Sequence, residues 1–155
     1  MDFRTRQDDY FFWVRATALI VRDGCIYLCQ SPDGGYHSIG GAIAVGETTE
    51  DAVRREVREE LGCDIQVDQL AFVVENYFES DHKKVHRIEF QYLVTPLSEP
   101  NRMLVEGDTQ RRCEWLPIDQ LDTIDVKPAF LKTALKNWDG QVKHVVNREG
   151  TSNER

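Results

Sequence analysis

The chain has 155 residues, of which 41% are hydrophobic and 10% aromatic, and its formal net charge at pH 7 is −8. This length suits one domain that buries roughly 70% of its unfolded surface, so we expect a single domain over 1–155 with a loose polar tail at about 148–155. The acidic balance argues against duplex nucleic acid as a partner, because that binding needs Lys and Arg to neutralise phosphates. The apolar run near the N-terminus is too short to span a bilayer, so we expect no membrane partner and a cytoplasmic location.

The four cysteines show no pairing signature. Cys25, Cys29, Cys63 and Cys113 include no CxxC pair. No histidine lies at a spacing that would complete a zinc site with them. We therefore expect four free thiols.

The first predicted elements are two strands. The runs at 16–21 and 25–30 are apolar and rich in β-branched residues, and Arg22, Asp23 and Gly24 lie between them. This arrangement is typical of a hairpin in which the glycine takes a positive φ. Pro, Asp and Gly residues then predict a loop over 31–41.

A helix is predicted next, from Thr48 or Thr49 to Leu61. A threonine N-cap and acidic residues in the first turn favour its start, and Gly62 favours its end. Val53, Val57 and Leu61 share one face, which we expect to be buried.

The second half of the chain predicts mostly strands. An extended region over 64–79, a polar break at 80–84 and a resumption over 85–96 indicate a second hairpin, and residues 85–92 alternate with the period of a half-buried strand. A loop over 96–110, a strand over 111–116, a helix over 128–138 and an edge strand over 142–147 follow. Strands on both sides of one helix, with another helix at the end, predict an α/β fold with a mixed sheet packed between helices.

The first helix carries an acidic cluster. Glu56, Glu59 and Glu60 lie at i, i+3 and i+4, so they project from one side. Like charges at this spacing destabilise an isolated helix by roughly a few tenths of a kcal/mol for each pair. Two explanations remain open at this point: a solvated face on which Arg55 pairs with Glu59, or a site for a divalent metal.

The loop before the helix favours the metal site. Gly40 and Gly41 allow close backbone approach and expose carbonyl oxygens, and Glu47 lies one turn short of the helix. Hard oxygen ligands of this kind suit Mg²⁺ or Mn²⁺, whereas Zn²⁺ would require His or Cys.

The same residues resemble a known sequence motif. Gly41, Glu47 and the segment 55–63, Arg-Glu-Val-Arg-Glu-Glu-Leu-Gly-Cys, match the Nudix box, G-x5-E-x7-R-E-U-x-E-E-x-G-U, where U is aliphatic. Every charged and glycine position matches, and Cys63 takes the last aliphatic position. Many members of the Nudix hydrolase family carry a proline before the glycine pair, where this chain has Ile39.

The resemblance implies a metal-dependent hydrolase with an α/β/α sandwich fold. Its substrate would be a nucleoside diphosphate linked to another moiety, and its cofactor would be Mg²⁺, with Mn²⁺ as an alternative. The implied metal ligands are the Glu56, Glu59 and Glu60 carboxylates and the Gly41 carbonyl. Arg55 and Glu47 would hold these carboxylates in position, with Arg55 counted among the catalytic residues.

The general base varies within this family, so two candidates stay open. Glu59 lies inside the motif, and Glu106 lies in the later predicted loop, before Glu114 and Trp115. Glu106 could equally be an ordinary exposed acid. Glu75 and Glu114 are weaker candidates.

Substrate selection would fall to residues outside the motif. Tyr36 and Phe78 could stack on a base, since an aromatic face accepts any base, and Arg87 could contact phosphate or ribose. A structural role is the alternative for each of them. Other candidates are Arg15, His37, Tyr77, Lys83, Lys84, His86 and Trp115.

Several functions remain open from the sequence. The leading hypothesis is a pyrophosphohydrolase of small nucleotides, either nucleoside triphosphates or nucleotide sugars such as ADP-ribose. A non-catalytic nucleotide sensor on the same fold would be expected to have lost motif glutamates, and this chain keeps them. An enzyme acting on RNA 5′ ends would favour a basic track, which the sequence lacks. A homodimer stays open, because no interface signature decides it.

Overall fold

The computed structural model of the chain describes residues 1–2 and 4–149. The strands in this part of the chain are β1 (Arg4–Gln7), β2 (Tyr10–Arg22), β3 (Cys25–Gln30), β4 (Tyr36–His37), β5 (Ile39–Ala42), β6 (Ile65–Ser80), β7 (Lys83–Pro96), β8 (Met103–Glu106), β9 (Thr109–Pro117), β10 (Val126–Lys127) and β11 (Lys143–Arg148). The helices are α1 (Thr49–Leu61), a 3₁₀ helix (Ile118–Thr123) and α2 (Leu131–Ala134). None of these helices is long and apolar enough to cross a membrane.

The strands form a mixed sheet with β2 at its centre. The strand order is β10-β4-β3-β2-β7-β6-β11. β2 runs parallel to β7 and antiparallel to β3 and β5, while β6 and β7 form a long antiparallel hairpin. β11 pairs in parallel with β6 at one end of the sheet. The predicted mixed sheet and edge strand are therefore confirmed.

Helices cover both faces of the sheet. Val53, Val57 and Leu61 of α1 are fully buried in one hydrophobic core with residues of β2 and β7. On the other face, Leu121 of the 3₁₀ helix and Leu131 of α2 pack with Phe72. The predicted α/β/α sandwich is confirmed, with the valine face of the acidic helix turned inward.

The local signals for the first hairpin and for α1 are also confirmed. Gly24 takes φ of 75° between β2 and β3. Thr48 is the N-cap of α1, and its hydroxyl accepts a hydrogen bond from Asp51 N–H at 3.1 Å. Gly62 ends the helix in the left-handed conformation, which costs a glycine little.

The predicted loops are more regular than expected, and the last helix is shorter. The segment 31–41 contains β4 and most of β5, and the segment 96–110 contains β8. The predicted helix over 128–138 is α-helical only across Leu131–Ala134. Around it, hydrogen bonds between residues three apart, from Leu131 N to Pro128 O and from Trp138 N to Leu135 O, mix with the four-residue bond from Asn137 N to Thr133 O, so tighter turns interrupt the α-helix.

The expectation of four free thiols is wrong for one pair. Cys29 on β3 and Cys113 on β9 lie opposite each other in antiparallel register and form a disulfide. Their sequence separation of 84 residues gave no local signal, because the sheet alone brings them together. Cys25 and Cys63 are free thiols.

The ordered C-terminal segment reaches at least Glu149. Arg148 ends β11, and Glu149 N–H donates to the Tyr77 carbonyl at 2.8 Å. The rest of the predicted loose tail, 150–155, lies outside the described residues.

Candidate active site

The acidic face of α1 borders a cavity of about 640 Å³, which we call the acidic cavity. Glu56, Glu59 and Glu60 all line it, as their helical spacing predicts. Their environments differ, because the Glu56 side chain is 12% exposed and that of Glu59 is 59% exposed. The row of three glutamates on α1 therefore extends from a buried position to a solvent-exposed one.

Arg55 links the carboxylates around this cavity. Its Nε and Nη2 donate to the two oxygens of Glu47 at 2.6 and 2.9 Å. Its Nη1 donates to Glu56 at 2.9 Å and to Glu59 at 3.3 Å. The hydrogen bonds from Arg55 lower the pKa of Glu47, and the Glu47 carboxylate in turn raises the pKa of Arg55. Both groups are therefore charged at neutral pH.

The contacts of Glu47 extend this network to the loop before α1. Glu47 Oε1 also accepts a hydrogen bond from Ala44 N–H at 3.0 Å, and Arg55 Nη2 donates to the Ala42 carbonyl at 3.2 Å. Because one guanidinium holds both the loop and the helix, it fixes the distance between them.

The two glycines before the helix are required by close contacts. A Cβ at Gly40 would lie 2.3 Å from the Ala16 carbonyl oxygen of β2, which is backbone and cannot move aside. A Cβ at Gly41 would lie 2.5 Å from Glu56 Oε1. The absence of a side chain at Gly41 thus lets the Glu56 carboxylate lie against the backbone of β5.

The carboxylates of Glu56 and Glu60 are crowded. Burial, a hydrogen bond with Glu56 and the charges of Glu56 and Glu106 raise the pKa of Glu60 to about 8. Among residues 1–2 and 4–149, no group of three or more His, Cys, Asp or Glu side chains is already gathered for a metal ion, and Glu59 is turned toward Arg55. An oxygen-only donor set in which two carboxylates repel each other nevertheless fits a hard divalent cation, which would relieve that repulsion.

A second cavity, of about 680 Å³, lies beside the first, and we call it the sheet cavity. Its walls include residues of β2, β6 and β7, and it shares Gly40, Glu60 and Glu106 with the acidic cavity. The two cavities therefore meet at the edge of β5.

Glu106 lies at this junction, and its predicted role as a general base stays a prediction. It ends β8, and its carboxylate accepts a hydrogen bond from Arg111 Nη2 at 3.1 Å. The side chain is largely exposed to solvent. Glu106 is therefore near the carboxylate of Glu60 and paired with the Arg111 guanidinium.

The floor of the sheet cavity contains buried polar residues that the sequence did not single out as functional. Glu89 and Gln91 of β7 and Asn76 of β6 are all at most 2% exposed. Asn76 Nδ2 donates to Glu89 Oε2 at 2.7 Å, and Gln91 Nε2 donates to Glu89 Oε1 at 3.4 Å. The alternating pattern of β7 predicted the strand correctly. Its polar side is nevertheless buried, since both faces of the sheet are covered.

Glu89 is ionised within this network. Burial by itself raises the pKa of Glu89, but the charges of Arg87 and Arg15 and the hydrogen bonds from Asn76 and Gln91 together hold the pKa below its ordinary value. Arg87 Nη2 lies 3.2 Å from Glu89 Oε2, and Arg15 Nε lies 3.9 Å from Glu89 Oε1. The buried charge is therefore compensated within the protein.

The predicted substrate residues Arg87 and Phe78 both line the sheet cavity. The Arg87 guanidinium lies 4.8 Å from the centre of the Phe78 ring and 5.4 Å from that of Trp13. Burial lowers the pKa of Arg87 to about 10, so it is charged at neutral pH. Because Arg87 is already stacked and paired with Glu89, its geometry favours shaping the cavity over capturing phosphate.

Tyr36 lies apart from both cavities. Its hydroxyl donates to Glu114 at 2.7 Å, and its ring packs against the core on the α2 side of the sheet. Its predicted stacking role stays a prediction without support from this placement. The Glu114 carboxylate, a weaker candidate for the general base, is the acceptor of this hydrogen bond.

The comparisons with known proteins agree with this geometry. A family model described as NUDIX domain matches residues 12–138, which is most of the chain. The chain belongs to the Nudix family. Nucleoside triphosphatase NudI of Salmonella schwarzengrund (strain CVM19633) is 30% identical over 132 residues, covering 76% of this chain and 92% of that protein.

Solved structures support the same assignment. A MutT NUDIX hydrolase from Burkholderia pseudomallei is 30% identical with a TM-score of 0.56, covering 70% of this chain and 84% of its own. The Bacillus halodurans MutT protein has a TM-score of 0.68 at 19% identity, covering 84% of this chain and 88% of its own, and shows the shared fold. The chain is thus a Nudix-type hydrolase that acts on phosphoric anhydride bonds.

Proposed function

We propose that this Nudix hydrolase is a Mg²⁺-dependent pyrophosphohydrolase that converts a nucleoside diphosphate linked to another moiety into a nucleoside monophosphate and a phosphorylated product. The observation that carries the proposal is the crowding of Glu56 and Glu60 beside the side-chain-free Gly41. The Glu56, Glu59 and Glu60 carboxylates would supply oxygen ligands for a hard cation, and that cation would relieve the crowding of Glu56 and Glu60.

The metal would be held by the Glu56, Glu59 and Glu60 carboxylates and the Gly41 carbonyl, with Mn²⁺ as an alternative to Mg²⁺. A bound Mg²⁺ lowers the pKa of an attacking water and neutralises negative charge on the phosphates. Arg55 is a positioning residue, since it acts through the carboxylates that it holds.

We assign different parts of the substrate to the two cavities. Among the described residues that line the sheet cavity, acidic side chains outnumber Lys and Arg, so this cavity favours an uncharged moiety over a phosphate group. The nucleoside would therefore occupy the sheet cavity, and the diphosphate would lie against α1. The shared residues Gly40, Glu60 and Glu106 mark the point where the reacting phosphorus would lie.

Two residues are candidates for accepting a proton from the attacking water. Glu106 lies at the junction of the cavities and Glu59 lies on α1, and both are exposed enough to reach water. A general base adds about 10²- to 10⁴-fold to the rate. Loss of the acidic limb of the kcat/KM pH profile in Glu106→Gln, but not in Glu59→Gln, would assign the base to Glu106.

A nucleoside triphosphate is the first choice of substrate. Nucleoside triphosphatase is the name of the curated relatives that are 30% identical to this chain, and the present chain spans 92% of their length. A nucleotide sugar such as ADP-ribose is the alternative retained from the sequence. The expected cytoplasmic location, the single domain over 1–155 and the homodimer also stay proposals.

The proposal is tested with a substrate panel. Nucleoside triphosphates, dinucleoside polyphosphates, nucleotide sugars and coenzymes are incubated with the protein and Mg²⁺, and released phosphate or pyrophosphate is measured. We expect release of pyrophosphate from at least one nucleoside triphosphate and no release with EDTA. Binding of nucleotides without turnover of any panel member would instead support the non-catalytic sensor.

A further inference from the structure

The sheet cavity concentrates buried polar atoms that have no hydrogen-bond partner. Within the described part of the chain, these atoms include Ser38 Oγ, Arg87 Nε, Gln91 Oε1 and Arg111 Nε, and all four residues line this cavity. Buried polar atoms in native proteins are nearly always paired, and each exception calls for an explanation. Their convergence on one cavity indicates a polar ligand that supplies the missing partners.

Gln91 offers the most defined of these atoms. The side chain is fully buried, and its Nε2 donates to Glu89 Oε1. An ionised carboxylate only accepts hydrogen bonds, so Glu89 fixes which end of the Gln91 amide faces it. Gln91 Oε1 is therefore an acceptor directed away from Glu89.

Glu89 is itself firmly held. Asn76 Nδ2 donates to it at 2.7 Å, and Asn147 Nδ2 donates to Asn76 Oδ1 at 2.9 Å. Asn76 is thereby satisfied at both ends of its amide. The orientation of Gln91 thus rests on a chain of hydrogen bonds that runs through Asn76 and Glu89, the kind of support that a ligand-selecting group needs.

The chemistry of the missing partner follows from this orientation. Gln91 Oε1 requires a hydrogen-bond donor, and an ionised phosphate oxygen has no proton to donate. The unpartnered Nε atoms of Arg87 and Arg111 require acceptors. A nucleobase carries N–H donors together with carbonyl or ring-nitrogen acceptors, and Phe78 adds an aromatic wall to the cavity.

We propose that Gln91 is a specificity-determining residue whose Oε1 accepts a hydrogen bond from an N–H group of the substrate's nucleobase. The proposal rests on the proposed function and assigns the base-reading part of that same site. Glu89 and Asn76 are its positioning residues, because they act through Gln91.

The test compares Gln91→Met with the wild type. Methionine has a similar length and no amide, so the acceptor is removed with little change in volume. The probes are ribo- and deoxyribonucleoside triphosphates of the common bases and ribose 5-triphosphate, which has no base. Gln66→Met, at an exposed position of β6, is the matched control.

We expect the wild type to discriminate among bases, and Gln91→Met to lower kcat/KM for the preferred nucleotide by about 10- to 100-fold. Turnover of ribose 5-triphosphate should stay within about 2-fold of the wild type, since an abasic probe makes no bond for the substitution to remove. An equal loss on both probes would give Gln91 a purely structural role, and a loss on ribonucleotides alone would make Gln91 a reader of the ribose. Either result overturns the proposal, as does unchanged kcat/KM for every probe.

A second measurement needs no variant and covers the case in which Gln91→Met does not fold. The preferred nucleotide is replaced by analogues in which each N–H of its base is methylated in turn. For at least one analogue, the kcat/KM of the wild-type protein should be about 10- to 100-fold lower than for the preferred nucleotide. Full activity with every analogue would refute the assignment. If the wild type hydrolyses no member of the substrate panel, the proposed function fails separately, and calorimetric affinities for the same nucleotides and analogues then decide the role of Gln91.

Discussion

The two neighbouring cavities handle buried carboxylates in opposite ways. In the acidic cavity, Glu56 and Glu60 crowd each other, and the pKa of Glu60 rises to about 8 because burial and neighbouring negative charge disfavour its ionised form. In the sheet cavity, Glu89 is more deeply buried, yet Arg87 and Arg15 keep its pKa below the ordinary value. In the acidic cavity Arg55 pairs with Glu56 and Glu59 while Glu60 stays crowded against Glu56, whereas in the sheet cavity two arginines compensate the charge of Glu89.

This difference explains how a chain with net charge −8 handles an anionic substrate. The negative charge at α1 would be offset by the metal that accompanies the diphosphate, and the nucleoside would meet a compensated surface. Charge repulsion would thus be confined to the place where the proposed cation binds. The following predictions separate the contributions of the two cavities.

The largest expected effect is on the acidic cavity. Glu60→Gln and Glu59→Gln should each lower the hydrolysis rate roughly a thousand-fold, because each removes a charged ligand where negative charge must be neutralised in the transition state. The circular dichroism spectra and melting temperatures of both variants should stay close to those of the wild type, since neither side chain packs in the core. Glu50→Gln, at an exposed position of the same helix, is the matched control and should retain full activity. Near-normal turnover in both site variants would remove the metal-ligand role.

Arg55→Lys should have the next largest effect. Lysine keeps the charge but cannot hold Glu47 with two parallel hydrogen bonds while contacting Glu56. We expect a loss of about 10- to 100-fold in metal affinity and in kcat, the range found when supporting contacts of metal ligands are removed. Arg54→Lys, whose guanidinium pairs only with the exposed Glu50 and Asp51 among the described residues, is the control. Equal behaviour of the two variants would show that Arg55 does not position the ligands.

The adjacent glycines should respond differently to alanine. A Cβ at Gly40 meets backbone of β2, so Gly40→Ala should lower the free energy of unfolding by about 1 to 3 kcal/mol. The nearest atoms to a Cβ at Gly41 belong to the end of the Glu56 side chain, so Gly41→Ala should keep its stability better and lose metal affinity. Denaturant unfolding and metal titration of the two variants measure this contrast. The reverse pattern would contradict the close contacts described for β5.

The smallest expected effect is the pH dependence contributed by His37, which lines the sheet cavity. Burial is the main cause that lowers the pKa of His37, so in the folded state it binds a proton less readily than in the unfolded state. Its contribution to stability is therefore complete above the ordinary histidine pKa and is lost as pH falls through that value. The melting temperature of His37→Gln should fall less than that of the wild type between about pH 7.5 and 5.5. A parallel fall in both proteins would show that His37 is not the titrating group.

The sequence predicted the acidic cavity far better than the sheet cavity. The spacing of Glu56, Glu59 and Glu60 follows from helical pitch, and the caps of α1 are local signals, so both could be predicted from a short stretch of chain. The interaction of Glu89 with Asn76 joins two strands of a hairpin, and its enclosure needs β2 and the C-terminal segment. Burial of a polar strand face depends on what covers it, and the alternation in β7 does not encode that.

The disulfide and the last helix illustrate the same limit. Cys29 and Cys113 meet only because β9 pairs with β3, an adjacency that the sequence spacing does not reveal. The segment 128–138 has helical composition and packs on the sheet through Phe130 and Leu131, but hydrogen bonds between residues three apart interrupt its α-helix. Short-range patterns were therefore reliable within one element and failed where contacts between distant elements decided the outcome.

Calorimetric titration with Mn²⁺ and Mg²⁺ tests the central claim most directly. The wild type, with and without a non-hydrolysable nucleoside triphosphate analogue, should bind metal, and binding should be lost or strongly weakened in Glu56→Gln and Glu60→Gln but retained in Glu50→Gln. Absence of metal uptake by the wild type under both conditions, or identical uptake by all four proteins, would contradict the account.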